Sequence, residues 1–415
     1  MGDPNNWVSK SILDKLKSLP ALSSNCCIYK VPKSLRMVSE DAYRPLVVSI
    51  GPFYYGDPRL VAMEQQKLRY LQSFLQRSAY KNLDYYVQVV RGWEEVARQC
   101  YVEPISLPSE LFIEMALIDA TFIIELLLRG HFREFIEAND HIFNTPRMIL
   151  EVTRDIRLEE NQLPFFILKG LYDLAFDPSS QNRQLPFLDI TYRFFIGRDQ
   201  AIPPTLAMID VKHLVDFLRV CYLPSTLRIP SPNTKQKFEF TSSVSELSEA
   251  GVKFMVGRSE NLLDIQFNKG VLEIPKFVVT DDTESLFRNI MVFEQCHYFF
   301  DSYIIDYFAF LDSLINTPKD VAILIKSGVI ENWLGNNEEV VNLFSKIFKQ
   351  TRLNSSNFYY SGTCQKLNAY ASIRWNQWKA ILKHNYFNHP WAVIGVVYAI
   401  VMLILTAIQV VTGFK

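Results

Sequence analysis

The side chains best equipped for chemistry are Glu159, Glu160, Asn161 and Gln162, consecutive polar residues ahead of the apolar run Leu163-Pro164-Phe165-Phe166-Ile167-Leu168. Two carboxylates could divide general-acid and general-base work between them. Neighbouring residues on a helix point about 100° apart, however, so spacing alone does not make them converge. Glu160, Asn161 and Gln162 read better as capping or interhelical hydrogen-bonding groups, because buried polar groups persist where each is paired. A second candidate is Glu294-x-x-His297, with Asp301 one further turn on. Glu-x-x-His is the spacing of a di-metal carboxylate site. Such a site needs the motif twice, and no second copy occurs. His297 then reads as a core histidine making one structural hydrogen bond.

Other chemistries lack their signatures. There is no HExxH, no P-loop, no GxSxG and no GxGxxG, so the motif-bearing metalloproteases, nucleotide hydrolases, α/β-hydrolases and dinucleotide enzymes find no support. Gly51-Pro52-Phe53-Tyr54-Tyr55-Gly56 carries glycines, but Pro52 and three aromatics cannot offer phosphate a row of backbone donors. The six cysteines include no CxxC pair. They read as packed thiols, with palmitoylation of Cys26-Cys27 as the alternative. No cofactor and no metal is expected. A net charge of −1 provides no field for nucleic acid.

These side chains need a scaffold, and 415 residues with 49% hydrophobic content can bury a large core. The periodicity predicts a mainly α fold: a large helical globular body with a small antiparallel β meander or hairpin. Residues 1–26 form an N-terminal helical extension, its helix over 3–19. Residues 27–385 form one helical body with a flexible segment near 225–240. Extended segments are expected at 27–32 and 46–50, the latter a short strand turning at Gly51-Pro52. Asp57-Pro58 should open a helix. Helices are expected at 83–100, 109–129 with Ser109 as cap, 145–160, and from Gln162 onward with Pro164 in the first turn. Residues 242–250 should be a helix stopped by Gly251, followed by a strand at 252–256 and a hairpin turning at Asn268-Lys269-Gly270. Asp281-x-x-Glu284 resembles a capping box launching one long helix toward Leu314. Shorter helices follow at 318–327, 337–348 and 362–383.

The chain ends in a run without Asp, Glu, Lys or Arg from Pro390 to Phe414. About 20 apolar residues suffice to cross a bilayer core, so 390–412 is expected to be a single-pass transmembrane helix, a tail anchor with the lipid bilayer as partner. Trp391 suits the headgroup layer, and Lys379 and Lys383 precede the span, which keeps the body cytosolic by the positive-inside rule. Trp375 and Trp378 form an aromatic stripe beside those lysines, suited to packing on the body or to anionic headgroups.

Several ordered motifs together carry a resemblance. They are Val31-Pro32 with Leu35-Arg36, Val48-Ser49-Ile50-Gly51-Pro52, Met63-Glu64-x-x-Lys67, and Leu158-Glu159-Glu160-Asn161-Gln162-Leu163-Pro164-Phe165-Phe166. Glu246-Leu247-x-x-Ala250-Gly251-Val252-Lys253-Phe254, Asp282-Thr283-Glu284-x-Leu286-Phe287-Arg288-Asn289 and Phe293-Glu294-Gln295-Cys296-His297 complete the set. From about residue 27 to its end the chain resembles the plant family called domain of unknown function 247. That resemblance implies a mostly helical plant protein with a C-terminal transmembrane helix and no established enzyme activity. It also implies a theme of self/non-self recognition in the self-incompatibility of some grasses. One departure stands out: the family often has a His pair after Gly-Pro, and Phe53-Tyr54-Tyr55 stands here, against metal or acid–base work at that turn.

The expected function is a non-enzymatic, membrane-anchored module that binds a protein partner. A self-incompatibility determinant is the alternative within that class. A hydrolase or metal enzyme without a recognisable motif is the alternative outside it. A cleft holding Glu160, Asn161 and His297 would favour the enzyme, and a solid core there would favour the binding module.

Overall fold

A computed structural model describes residues 4–17, 25–78, 81–176, 185–197, 209–224 and 239–373, with Ile202, Leu206, Tyr398, Met402, Leu405 and Thr406. Helix α1 (Pro4–Lys17) leaves its apolar residues Trp7, Val8, Ile12 and Leu16 exposed. The short α2 (Lys33–Arg36) leads to α3 (Glu64–Arg77) and α4 (Leu83–Gln99), the latter capped by Asn82, whose side chain accepts from Tyr85 N. Both pack on α5 (Ser109–His131), which α7 (Phe165–Ala175) and α8 (Phe187–Phe195) also cover. Apolar residues on every face of α5 explain its central place. Its buried charges are paired: Asp119 with Lys67 at 2.6 Å, and Glu125 with Arg77 and Arg129. Between α5 and α7 lies α6 (Pro146–Asp155).

The second half begins with α9 (Leu214–Tyr222) and α10 (Val244–Glu249), and Ser243 and Glu246 close a capping box on α10. Strands β1 (Lys253–Val256), β2 (Gln266–Asn268) and β3 (Val271–Ile274) make a sheet in the order β1-β3-β2. The expected hairpin turns at Lys269 and Gly270, both at positive φ. The antiparallel meander is corrected, because β1 pairs with β3 in parallel, Lys253 opposite Val271. β4 (Phe277–Val279) pairs in parallel with β5 (Ile330–Asn332), a sheet the sequence reading omitted. Helices α11 (Thr283–His297), α12 (Tyr303–Leu314), α13 (Pro318–Lys326), α14 (Asn337–Phe348) and α15 (Ser361–Ala371) complete the described fold. One apolar core runs from Cys27 to Leu367 through both halves.

Several boundaries differ from the expected ones, three of them for evident local reasons. The helix expected over 145–160 stops at Asp155, and Pro164 is the cap of α7 rather than a residue of its first turn. Proline disfavours helical backbone at the residue before it, so 156–163 becomes a turn. The helix expected to reach Leu314 breaks after His297, where the Glu294 carboxylate accepts from Ile304 N and Ile305 N and so caps α12. Asp282, not Asp281, holds the α11 cap position and makes no side-chain cap bond; it pairs with Arg157 instead.

Among the described residues no helix is long and apolar enough to cross a membrane. The longest, α5, has 23 residues but carries Glu110, Glu114, Asp119, Glu125 and Arg129. The transmembrane helix expected over 390–412 is therefore withdrawn from the fold, which is a mainly helical body with two small sheets. Tyr398, Met402, Leu405 and Thr406 are helical and exposed. The rest of 390–412, including Trp391, lies outside the described residues, as do Trp375, Trp378, Lys379, Lys383 and 225–238.

Candidate functional site

The turn from Asp155 to Pro164 is the polar centre of the molecule. Asp155 accepts from Leu46 N at 2.9 Å, Val47 N at 2.7 Å and Val48 N at 3.0 Å. Asn161 Oδ1 accepts from Ile50 N at 2.8 Å, while its amide donates to Val48 O and Asp155 O. These two side chains take up the main chain of 46–50, which bends at Leu46 and Val47 and belongs to no sheet, so the strand expected there is not formed. Gln162 donates to Ile156 O and Leu158 O and accepts from Leu214 N, fastening α9. Glu160 accepts from Val31 N at 2.7 Å and from the Tyr54 hydroxyl at 2.9 Å, and pairs with Arg36.

Gly51 closes the turn against this centre. It sits at φ 71°, and a Cβ there would lie 2.3 Å from Gln162 O. Its N–H donates to Asp119 at 2.8 Å. Pro52 follows, and Phe53 packs edge-on against Tyr101. Pro164 caps α7, Phe165 is buried against Phe187 and Phe217, and Phe166 lies at the surface beside Trp93.

Glu159 and His213 form the innermost part. Glu159 accepts from Tyr29 N at 3.2 Å, and burial pushes its carboxyl well above the usual range. Asn289 accepts from Glu159 N and donates to Ala42 O. His213 donates through Nε2 to Cys27 O and accepts through Nδ1 from Asp216 N, capping α9. Burial pushes His213 down to about 3 and Asp216 up to about 6. Because burial keeps the His213 ring neutral, its 3.9 Å approach to Glu159 is not an ion pair.

The pH consequence has a definite sign. The unfolded ring titrates near 6.5 while the folded ring resists protonation to about 3. Stability from neutral His213 is complete above pH 6.5 and is lost as pH falls from there toward 3. Glu159 and Asp216, whose folded states hold protons more tightly, act oppositely as pH falls. A comparison isolates the histidine: between pH 7 and 5, wild type should lose about 2 kcal/mol more stability than His213→Asn, which can keep the cap. Urea denaturation at both pH values checks this, and parallel losses would refute it.

Glu294 and His297 do not converge on a common ligand. Both Glu294 oxygens are occupied, Oε1 by Arg219 Nε at 3.0 Å and Oε2 by the α12 amides. His297 Nδ1 meets the Tyr29 hydroxyl at 2.9 Å, and Asp301 contributes its carbonyl oxygen to Arg219. Among the described residues no group of three or more His, Cys, Asp or Glu could hold a metal ion. Glu160, Asn161 and Gln162 lie together in this turn, where Asn161 and Gln162 hold main-chain groups and Glu160 holds Val31 N, the Tyr54 hydroxyl and Arg36. Three described clefts lie elsewhere, and none is lined by Glu160, Asn161 or His297. Sequence reasoning missed Asp155, Asp119, His213 and Arg219. Asp119 had a signal, an acid in the otherwise apolar stretch of α5 between Glu114 and Glu125.

The family model described as a plant protein of unknown function matches residues 28–405. The UPF0481 protein At3g47200 of Arabidopsis thaliana is 29% identical over 93% of this chain and 85% of its own length. A second UPF0481 protein of that plant, At3g02645, is 22% identical over 98% of this chain and 94% of its own. No solved structure matches the chain.

Proposed function

This chain belongs to the plant family of unknown function 247, and from that membership we propose a non-enzymatic module that binds a protein partner. The observation that carries the reading is the use made of polar groups at the centre. Asp155, Asn161 and Gln162 hold main chain, and Glu160 holds main chain, a tyrosine and an arginine, so they are anchors.

Large apolar side chains face outward elsewhere. Met255 and Val256 of β1, Val278 of β4 and Trp333 just after β5 are all exposed, Trp333 at 69%. β1 meets the start of the second sheet, where a Cβ on Gly328 would lie 3.2 Å from Val256 Cγ2, and at the far end of that sheet Trp333 N donates to Val279 O. Exposed aromatic and Met side chains of this kind favour protein interfaces. Lys253 opens β1 and Lys276 directly precedes β4, and both are exposed.

The test is cross-linking of the full chain in plant cells. Cross-links to a partner should fall on Lys253 and Lys276, and Met255→Asp with Trp333→Ala should abolish them at unchanged Tm. Cross-links unaffected by that pair would defeat the assignment of this face. A turnover activity lost in Glu160→Gln at unchanged Tm would defeat the non-enzymatic reading itself.

A further inference from the structure

Cys27 and Cys100 stand opposite one another beside the isolated parallel bridge of Ile28 with Tyr101. Cys27 N and Ile28 N both donate to Cys100 O at 2.8 Å, and Val102 N donates to Ile28 O at 3.0 Å. Those bonds hold the Cys27 backbone against Cys100, whose own backbone is still helical at the end of α4. Backbones joined in this way lie roughly 5 Å apart, inside the window of roughly 4.4–6.8 Å between Cα atoms that a disulfide spans. Both thiols are free and buried, Cys100 Sγ donates to Val96 O at 3.4 Å, and the neighbouring Cys100 thiol holds the Cys27 thiol above its usual range. The half-exposed Cys26 adjoins them, close enough to feel Cys100 electrostatically.

We propose that Cys27 and Cys100 are a reversible dithiol–disulfide site, oxidised by a peroxide, that locks the 25–32 segment to the end of α4. The neighbouring Cys27 holds the Cys100 thiol below its usual range, so the attack is assigned to the Cys100 sulfur. Cys100 sulfur bonds to one peroxide oxygen as the O–O bond breaks, giving a sulfenic acid and one water. Cys27 sulfur then bonds to Cys100 sulfur, the S–O bond breaks, and the hydroxyl leaves with the Cys27 proton as a second water. Two thiols lose two electrons and two protons, and the peroxide is reduced to two waters. The bond would close the chain from residue 27 to residue 100, a long loop whose freedom in the unfolded state is then removed.

The full chain is titrated with hydrogen peroxide, alkylated and mapped without reductant. One linked peptide pair is expected, about 2 Da lighter than its two parts, with fragmentation placing the bond at Cys27 and Cys100. Cys26→Ser keeps the link, and Cys27→Ser and Cys100→Ser abolish it. Tm of the oxidised wild type should rise by several degrees, about 5 °C, and return on adding dithiothreitol. The proposal is overturned if both sulfurs remain alkylatable once Cys26 is fully oxidised. A bond placed at Cys26, or sulfinic acid at Cys100 without a link, overturns it equally. The wild-type and Cys26→Ser maps decide the matter even if the buried serine variants fail to fold.

Discussion

Asp155→Ala should lower the unfolding free energy by about 4 kcal/mol, read by urea denaturation. The carboxylate is fully buried and takes up the N–H groups of Leu46, Val47 and Val48 in succession. Among the described residues no strand flanks that segment to receive them instead. Each buried donor left without an acceptor costs about 1–3 kcal/mol, and alanine orphans three at once while opening a small void. Asp155→Asn keeps one acceptor oxygen but turns an NH2 toward Leu46 N or the Arg154 guanidinium, which also meets Asp155. Its loss should be intermediate, about 2 kcal/mol. Burial holds the Asp155 carboxyl above its usual range against the pull of these amides, so much of its value lies in accepting hydrogen bonds rather than in net charge. Equal losses for Ala and Asn would mean that the three amides find other acceptors.

How much of this was legible follows from the range of the interactions. Helices such as α13 could be read almost to the residue, because Thr317, Pro318 and Asp320 are local signals and the capping box they make is local. The β2–β3 hairpin was equally plain from Lys269-Gly270. The partnership of β1 with β3 was not, since its parallel register is set by packing rather than by a turn. Asn161 and Gln162 were recognisable as polar groups needing partners, but the partners lie far away in sequence, at Ile50 and Leu214. The strand expected at 46–50 shows the same limit: its residue types suit a ladder, yet side chains of Asp155 and Asn161 supply the acceptors. Composition exposed Glu-x-x-His and could not show that Arg219, 75 positions away, occupies the glutamate.

That pairing yields the largest expected effect. Glu294→Ala should cost about 5 kcal/mol, by either chemical or thermal denaturation. Arg219 is only 4% exposed, and without Glu294 its guanidinium is left with the Asp301 carbonyl, the face of Tyr298, 3.9 Å away, and the Asp216 carboxyl nearby. Removing one member of a buried pair costs about 3–5 kcal/mol because the other charge stays behind. Loss of the two α12 amide acceptors adds about 1 kcal/mol, the scale of a helix cap. Changing Arg219 to Leu in the same chain should therefore recover about 2 kcal/mol, because the stranded charge goes with it. A metal-ligand role predicts otherwise. Glu294 and His297 would then lose a bound ion together, a chelator would lower the Tm of wild type, and Glu294→Ala would remove that sensitivity. On the structural account a chelator leaves Tm unchanged, and the Arg219 exchange rescues the alanine variant. These two readouts are independent, so one chain carrying Glu294→Ala, with and without the Arg219 exchange, separates a helix-capping ion pair from a metal site.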